Sequence, residues 1–267
     1  MIARISTRGP CYVPSVLIKV ALNGGRAGAP ATVEEIASDV AACAAAGATV
    51  FHVHPRDVDG VESLRPADAD RVVAAIRTKA SQVRLGLTTG AWILPDVQKR
   101  LDAIAQWQQL PDFASVNFDE EGCELVARLL VERGVGVEAG LLDAASTQRF
   151  LAAEIPVVRV LIELQEQRLD DALRAIEGIL ATLGDHPAPR LLHGHGAMAW
   201  ALLDEAARRG YDSRIGLEDV ATLPDGRRAT NVELFTIALV RCRTPPDRPR
   251  ARADVGAGSD RRRPGRA

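Results

Sequence analysis

The stretch Thr49-Val-Phe-His-Val-His-Pro-Arg56 decides how this chain is read. Val50, Phe51 and Val53 make a short apolar run of strand-forming residues. His52 and His54 interrupt it two residues apart, so both imidazoles project to the same side of the strand. Two such imidazoles and a carboxylate from another segment form a donor set for a divalent transition metal, zinc above all. The positions left open on the ion would take water or substrate. A hydrogen-bonded histidine pair with no metal is the plainer alternative.

Outward from this stretch the same unit repeats. Strand-like runs at 16–22, 49–53, 84–88, 113–117, 135–138, 157–162, 190–193 and 213–217 alternate with helical patterns. The helices read as 32–46, 66–79, 95–107, 121–132, 144–153, 169–183, 197–209 and 231–241. Helix starts carry suitable residues: Thr32 ahead of Glu34 and Glu35, Pro66 and Pro95 in first turns, and Asp143 as a cap. Eight strand–helix units predict an α/β fold, a (β/α)8 TIM barrel. An open doubly wound sheet would normally carry a glycine-rich phosphate turn after its first strand. Asn23-Gly24-Gly25-Arg26 is a turn of another kind. The expected organisation is one catalytic domain over residues 1–243. After it, 244–267 reads as a disordered tail rich in Arg, Pro and Gly, with seven Arg against three Asp.

Composition narrows the function classes. Of 267 residues, 47% are hydrophobic and 25% charged, with a net charge of −2, which excludes a disordered chain. A chain of this size buries roughly three-quarters of its unfolded surface, enough for one ordinary core. The longest apolar stretch, 40–53, is broken by Gly47 and His52 and is too short to span a bilayer. No signal-peptide pattern is seen at the N-terminus, so the expected location is the cytoplasm. Cys11, Cys43, Cys123 and Cys242 lie far apart, without a zinc-ribbon or disulfide pattern. The near-neutral balance offers no basic stripe for nucleic acid, and no membrane partner is expected.

In a barrel of this kind the active site lies at the C-terminal ends of the strands. The residues read there are polar: Asn23 to Arg26, His52 and His54, Thr88-Thr89-Gly90, Ser115 and Asn117, Glu138, Glu163, His193-Gly-His195, and Glu218-Asp219. Four of the five histidines fall at two of these ends. Glu218 is the best third metal ligand, because it follows the apolar segment Ile215-Gly216-Leu217; Glu138 and Glu163 compete with it. His193 and His195 form a rival pair. This pair resembles that of some barrel acyl-CoA lyases and synthases, which hold a metal with a late-strand pair and an Asp ending the first strand; this chain has Asn23 there, so that pattern is incomplete. His52 and His54 are therefore favoured for the metal, with His193 and His195 as nearby substrate contacts or bystanders.

Four motifs together resemble the β-keto acid cleavage enzymes: His52-Val-His54-Pro-Arg56, Thr88-Thr-Gly-Ala91, Val116-Asn-Phe-Asp-Glu-Glu-Gly122 and Arg214-Ile-Gly-Leu-Glu-Asp219. The resemblance extends from the first strand to about Arg243. It implies a zinc-dependent barrel that condenses a β-keto acid with acetyl-CoA, giving acetoacetate and a new acyl-CoA. On that resemblance His52, His54 and Glu218 would ligate Zn2+, and Asp219, supported by Arg214, would be the general base. Thr89, Ser115 and Asn117 would contact the keto acid, with Glu138 in support. The best-known family member acts on 3-keto-5-aminohexanoate and places an acid at the first strand end for the amino group. Asn23 and Arg26 stand there instead and point to a neutral, hydroxylated or anionic substituent. By resemblance the barrel is also a homo-oligomer, with a tetramer as one form.

The rival readings are less well supplied. A Schiff-base aldolase needs a buried lysine at a strand end, and Lys19 lies too early in the first strand. A metal-dependent hydrolase would carry its histidine pair on the first strand rather than the second. A catalytically silent binding barrel would be expected to lack a ligand or the base.

Overall fold

The computed structural model describes residues 16–244, and the expected tail lies outside them apart from Thr244. Eight parallel strands close into a barrel in chain order. They are β1 (Ile18–Ala21), β2 (Val50–Val53), β3 (Arg84–Leu87), β4 (Phe113–Asn117), β5 (Gly136–Leu141), β6 (Arg159–Leu164), β7 (Arg190–Gly194) and β8 (Asp212–Ile215). A helix follows each strand: α1 (Val33–Ala45), α2 (Pro66–Lys79), α3 (Val97–Ala105), α4 (Cys123–Glu132), α5 (Ala144–Ala153), α6 (Leu169–Leu183), α7 (Ala199–Arg209) and α8 (Asn231–Arg243). The chain is thus a (β/α)8 barrel, as its alternation predicts.

Local chemistry sets several boundaries. The Thr32 hydroxyl accepts from Glu35 N while the Glu35 carboxylate accepts from Thr32 N, which fixes the start of α1. The Asp143 carboxylate accepts from Ser146 N at 2.7 Å and starts α5. In α3 the cap is Asp96, accepting from Lys99 N at 2.9 Å, so the helix begins at Val97 rather than at 95. A 3-10 turn, Gly196–Met198, comes between β7 and α7.

Two strand ends differ from expectation, and both matter to the site. β5 runs on to Leu141, because Ala139 and Gly140 continue the ladder with Val116 and Asn117 of β4. Glu138 therefore lies inside the strand rather than at its end. β8 stops at Ile215, where Gly216 presses on β1. A side-chain carbon at Gly216 would lie 1.9 Å from the Ala21 carbonyl oxygen, so only glycine fits this approach.

The two faces of the barrel differ. Outward residues such as Val53, Leu87, Val116, Ile162 and Leu192 join helix residues such as Val40, Val72 and Ile176 in one buried cluster. Each such side chain contributes roughly 1.5–3 kcal/mol by leaving water. Inside the barrel, toward the N-terminal ends of the strands, Lys19, Phe113, Glu138 and Arg159 pack together. Glu138 accepts from Lys19 Nζ, and Arg159 Nε lies 3.3 Å from its other oxygen. Burial lowers the Lys19 pKa, with Glu138 pulling the other way. This ion cluster closes the barrel below the site. No described helix is long and apolar enough to cross a membrane.

Candidate active site

The C-terminal mouth of the barrel gathers the polar strand ends. His52 is the penultimate residue of β2 and His54 comes just after the strand, 2% and 3% exposed. Their Nε2 atoms lie 2.9 Å apart, and Glu218 Oε2 lies 3.8 Å from the first and 3.5 Å from the second. His52 Nδ1 and Glu218 Oε2 are buried without a hydrogen-bond partner. Three donor atoms converge, one oxygen among them unsatisfied, so the set fits a divalent ion. Tetrahedral zinc separates its ligand atoms by about 3.3 Å, close to these spacings.

Neighbours fix each donor. His54 Nδ1 is bonded to Glu62 Oε1, which directs Nε2 at the centre. The Trp92 indole donates to Glu62 Oε2 at 3.2 Å and its ring stacks on His54 at 6.2 Å. Gly24 leaves room for the third donor, since a side-chain carbon there would lie 2.4 Å from Glu218 Cγ. Arg56 in turn donates to the Gly24 carbonyl. Burial opposes charge on His54, but Glu218 and Glu62 outweigh it and raise its pKa to about 9. Burial holds His52 well below the ordinary imidazole value.

Arg214 joins the two acidic residues at the end of β8. Its Nη2 donates to Glu218 Oε1 at 2.8 Å and to Asp219 Oδ1 at 2.7 Å, while Nε donates to Asp219 Oδ2 at 3.2 Å. The bend at Gly216 makes this possible: Asp219 N and Val220 N both donate to the Gly216 carbonyl at 2.9 Å, turning the chain back onto Arg214. Asp219 is wholly buried. Burial alone would raise its pKa, but Arg214, His193 and His195 overcome this and hold it at about 2.

The remaining expected residues divide. Ser115 and Asn117 line a cavity of about 30 Å³ together with His52, His54, Glu163, Arg214 and Glu218. A larger opening of about 440 Å³ continues outward past Trp92, Asn117, Glu163 and His195. Thr88, not Thr89, faces the small cavity; the Thr89 hydroxyl donates to the Ser115 carbonyl at 2.7 Å. Glu138 lines neither space, being held below by Lys19 and Arg159. Asn23 is fully buried. Its amide donates to the His54 and Pro30 carbonyls at 2.9 and 3.2 Å, and its oxygen accepts from His54 N at 2.9 Å. Arg26 donates to the Asp219 carbonyl at 3.0 Å. Both residues brace the site rather than face the opening beside the metal donors. A cavity of about 710 Å³ lies beyond Arg26 between α7 and the loop after β8, away from these donors.

Sequence reasoning missed Glu62, Trp92 and the part played by Arg56 and Gly24. Glu62 and Trp92 sit in irregular loops, where no periodicity marks a side chain's direction.

Comparison with known proteins agrees with this geometry. The family profile described as beta-keto acid cleavage enzyme matches residues 15–251. The chain belongs to that family. A curated relative, the 3-keto-5-aminohexanoate cleavage enzyme of Fusobacterium nucleatum subsp. nucleatum, is 28% identical over 124 residues, 43% of this chain and 46% of that protein. The alignment thus spans about half the length of that relative. Among solved structures, apo ObcA superposes with a TM-score of 0.58 at 18% identity, covering 78% of this chain and 60% of that one. ObcA with a C4-CoA adduct and oxalate gives 0.57 at 18%, over 78% and 62%. The 3-dehydroquinate dehydratase of Geobacillus kaustophilus gives 0.59 at 9%, over 88% and 93%. At these identities the structures show a shared barrel.

Proposed function

We propose that this barrel condenses a β-keto acid with acetyl-CoA, releasing acetoacetate and the acyl-CoA of the remaining fragment. The convergence of His52, His54 and Glu218 beside the Arg214–Asp219 pair carries this reading. The ligands of the ObcA complexes, oxaloacetate in one and a C4-CoA adduct with oxalate in another, support a small keto acid and a CoA thioester as the class of substrates.

Zinc held by His52, His54 and Glu218 would supply the Lewis acidity that stabilises negative charge at the β-ketone. The chain's own groups do the rest. Ser115 and Asn117 position the keto acid against the donors. Arg214, which lines the small cavity, presents a guanidinium to the substrate carboxylate as well as to Asp219. A carboxylate binding to Arg214 draws it from Asp219, and the freed oxygen becomes the general base for the C2 proton. The resulting carbanion takes the acetyl group and expels the CoA thiolate. The thiolate then attacks the original ketone, cleavage of the C2–C3 bond releases the acyl-CoA, and the C2 carbanion left behind takes back the proton held by Asp219 to give acetoacetate. Thr89, Asn23 and Arg26 support the walls, and Glu138 the base of the barrel. The homo-oligomer, a tetramer among the forms expected, belongs to the same proposal.

The experiment joins metal analysis to turnover. Purified protein is assayed for zinc and then mixed with acetyl-CoA and a panel of β-keto acids. Zinc that His52→Ala removes, with acetoacetate from a member of the panel, is the expected result. Acetoacetate formed at the same rate by His52→Ala overturns the reading.

A further inference from the structure

The mouth of the barrel repeats its own construction on the opposite wall. His193 stands one residue before the end of β7 and His195 just beyond it, again with one residue between them. The two ring pairs match: centroids 4.9 Å apart at 82° for His52 and His54, 5.1 Å at 77° for His193 and His195. A carboxylate again meets the Nε2 edges. Glu163 of β6 sets Oε2 3.6 Å from His193 Nε2 and Oε1 3.0 Å from His195 Nε2. The opposite nitrogens face a second carboxylate, with Asp219 Oδ1 3.7 Å from His193 Nδ1 and 3.3 Å from His195 Nδ1; in the first site only His54 Nδ1 has such support, from Glu62. Carboxylate support behind a ligating imidazole is the usual way a protein orients such a ring.

We propose that Glu163, His193 and His195 form a second divalent-cation site, across the small cavity from the first. An independent observation points to a ligand: His193 is 1% exposed, and neither of its ring nitrogens has a hydrogen-bond partner. A buried imidazole in that state has given up hydration without replacement, which is costly unless a ligand completes it. Each residue offers one donor atom within 4.8 Å of the others, and the Glu163 oxygens lie 3.6 Å from His193 Nε2 and 3.0 Å from His195 Nε2, so small side-chain adjustments would bring all three onto one ion. Two imidazoles and one carboxylate suit zinc or cobalt(II). Glu163 lines the same small cavity as His52, His54 and Glu218, so ions at the two sites would address one bound molecule.

The test counts metal and needs no substrate. Full-length protein is stripped with chelator, dialysed against zinc and then against metal-free buffer, and assayed by plasma mass spectrometry. The expected content is two equivalents in the parent chain and one in either His52→Ala or His193→Ala. Because His193 is buried, Glu163→Gln is measured beside it as a conservative change that keeps size and hydrogen bonding. It too is expected to hold one equivalent, and His52→Ala/Glu163→Gln none. A single equivalent in the parent chain, whichever triad holds it, overturns the proposal. Two equivalents undiminished in Glu163→Gln overturn it as well.

Discussion

Asp219 and Glu62 show how single side chains here act through their neighbours. Asp219→Asn keeps one oxygen for Arg214 and leaves His52, His54 and Glu218 whole, so zinc bound there is expected to hold while kcat falls on the order of 10²–10⁴-fold. Retained turnover with normal zinc would move the base elsewhere. Glu62→Gln weakens the partner that orients His54, and metal affinity is expected to drop roughly 10–100-fold by competition with a chromophoric chelator. Glu120 gives a pH signature. Burial raises its pKa from 4.5 to about 7, so the folded chain holds a proton that the unfolded chain has lost. Its stabilising contribution is present at acid pH and lost as pH rises through about 7. The Tm advantage of Glu120→Gln over the parent is expected to grow from pH 5 to about 7 and then level off toward pH 8. At this scale the convergence of His52, His54 and Glu218 was legible, because paired histidines two apart on an apolar strand admit few placements. Thr89 was not: Thr88 and Thr89 are both polar, and only the register of β3 decides which one faces the cavity.

Among the elements, β8 and its bend carry the most information per residue. The motif Arg214 to Asp219 spans about 16 Å if extended, too far for the contact observed at 2.7 Å. Gly216 resolves this by ending the strand and letting the chain turn over the Ala21 carbonyl. Gly216→Ala forces backbone apart at that point. A loss of roughly 1–3 kcal/mol or more in urea unfolding is expected, together with lowered zinc affinity through displaced Glu218. Unchanged stability would show that the strand end tolerates a side chain. The need for a bend at Gly216 could be read from sequence spacing. The length of β5 could not, because Ala139, Gly140 and Leu141 carry no distinctive pattern and owe their strand state to ladders on both sides. That extension takes Glu138 from the rim into the floor.

For the whole molecule, the alternation of eight strand and helix patterns was enough to specify the barrel, since few folds bury such a series. What fills the floor of the barrel was hidden, because Lys19, Glu138 and Arg159 are far apart in sequence and join only on closure. Lys19→Met leaves Glu138 buried with Arg159 as its remaining ion partner. A cost of roughly 3–5 kcal/mol is expected in chemical denaturation, partly recovered in Lys19→Met/Glu138→Leu. Equal stability in the single variant would mean that the cluster contributes nothing to closure. The central claim concerns the reaction at the other end of the barrel. Acetyl-CoA labelled with carbon-13 in both acetyl carbons, incubated with the enzyme and an unlabelled β-keto acid, tests it most directly by NMR of the products. The account predicts acetoacetate labelled at C3 and C4 and an acyl-CoA free of label. Label retained in the thioester, or acetoacetate without it, would contradict the account.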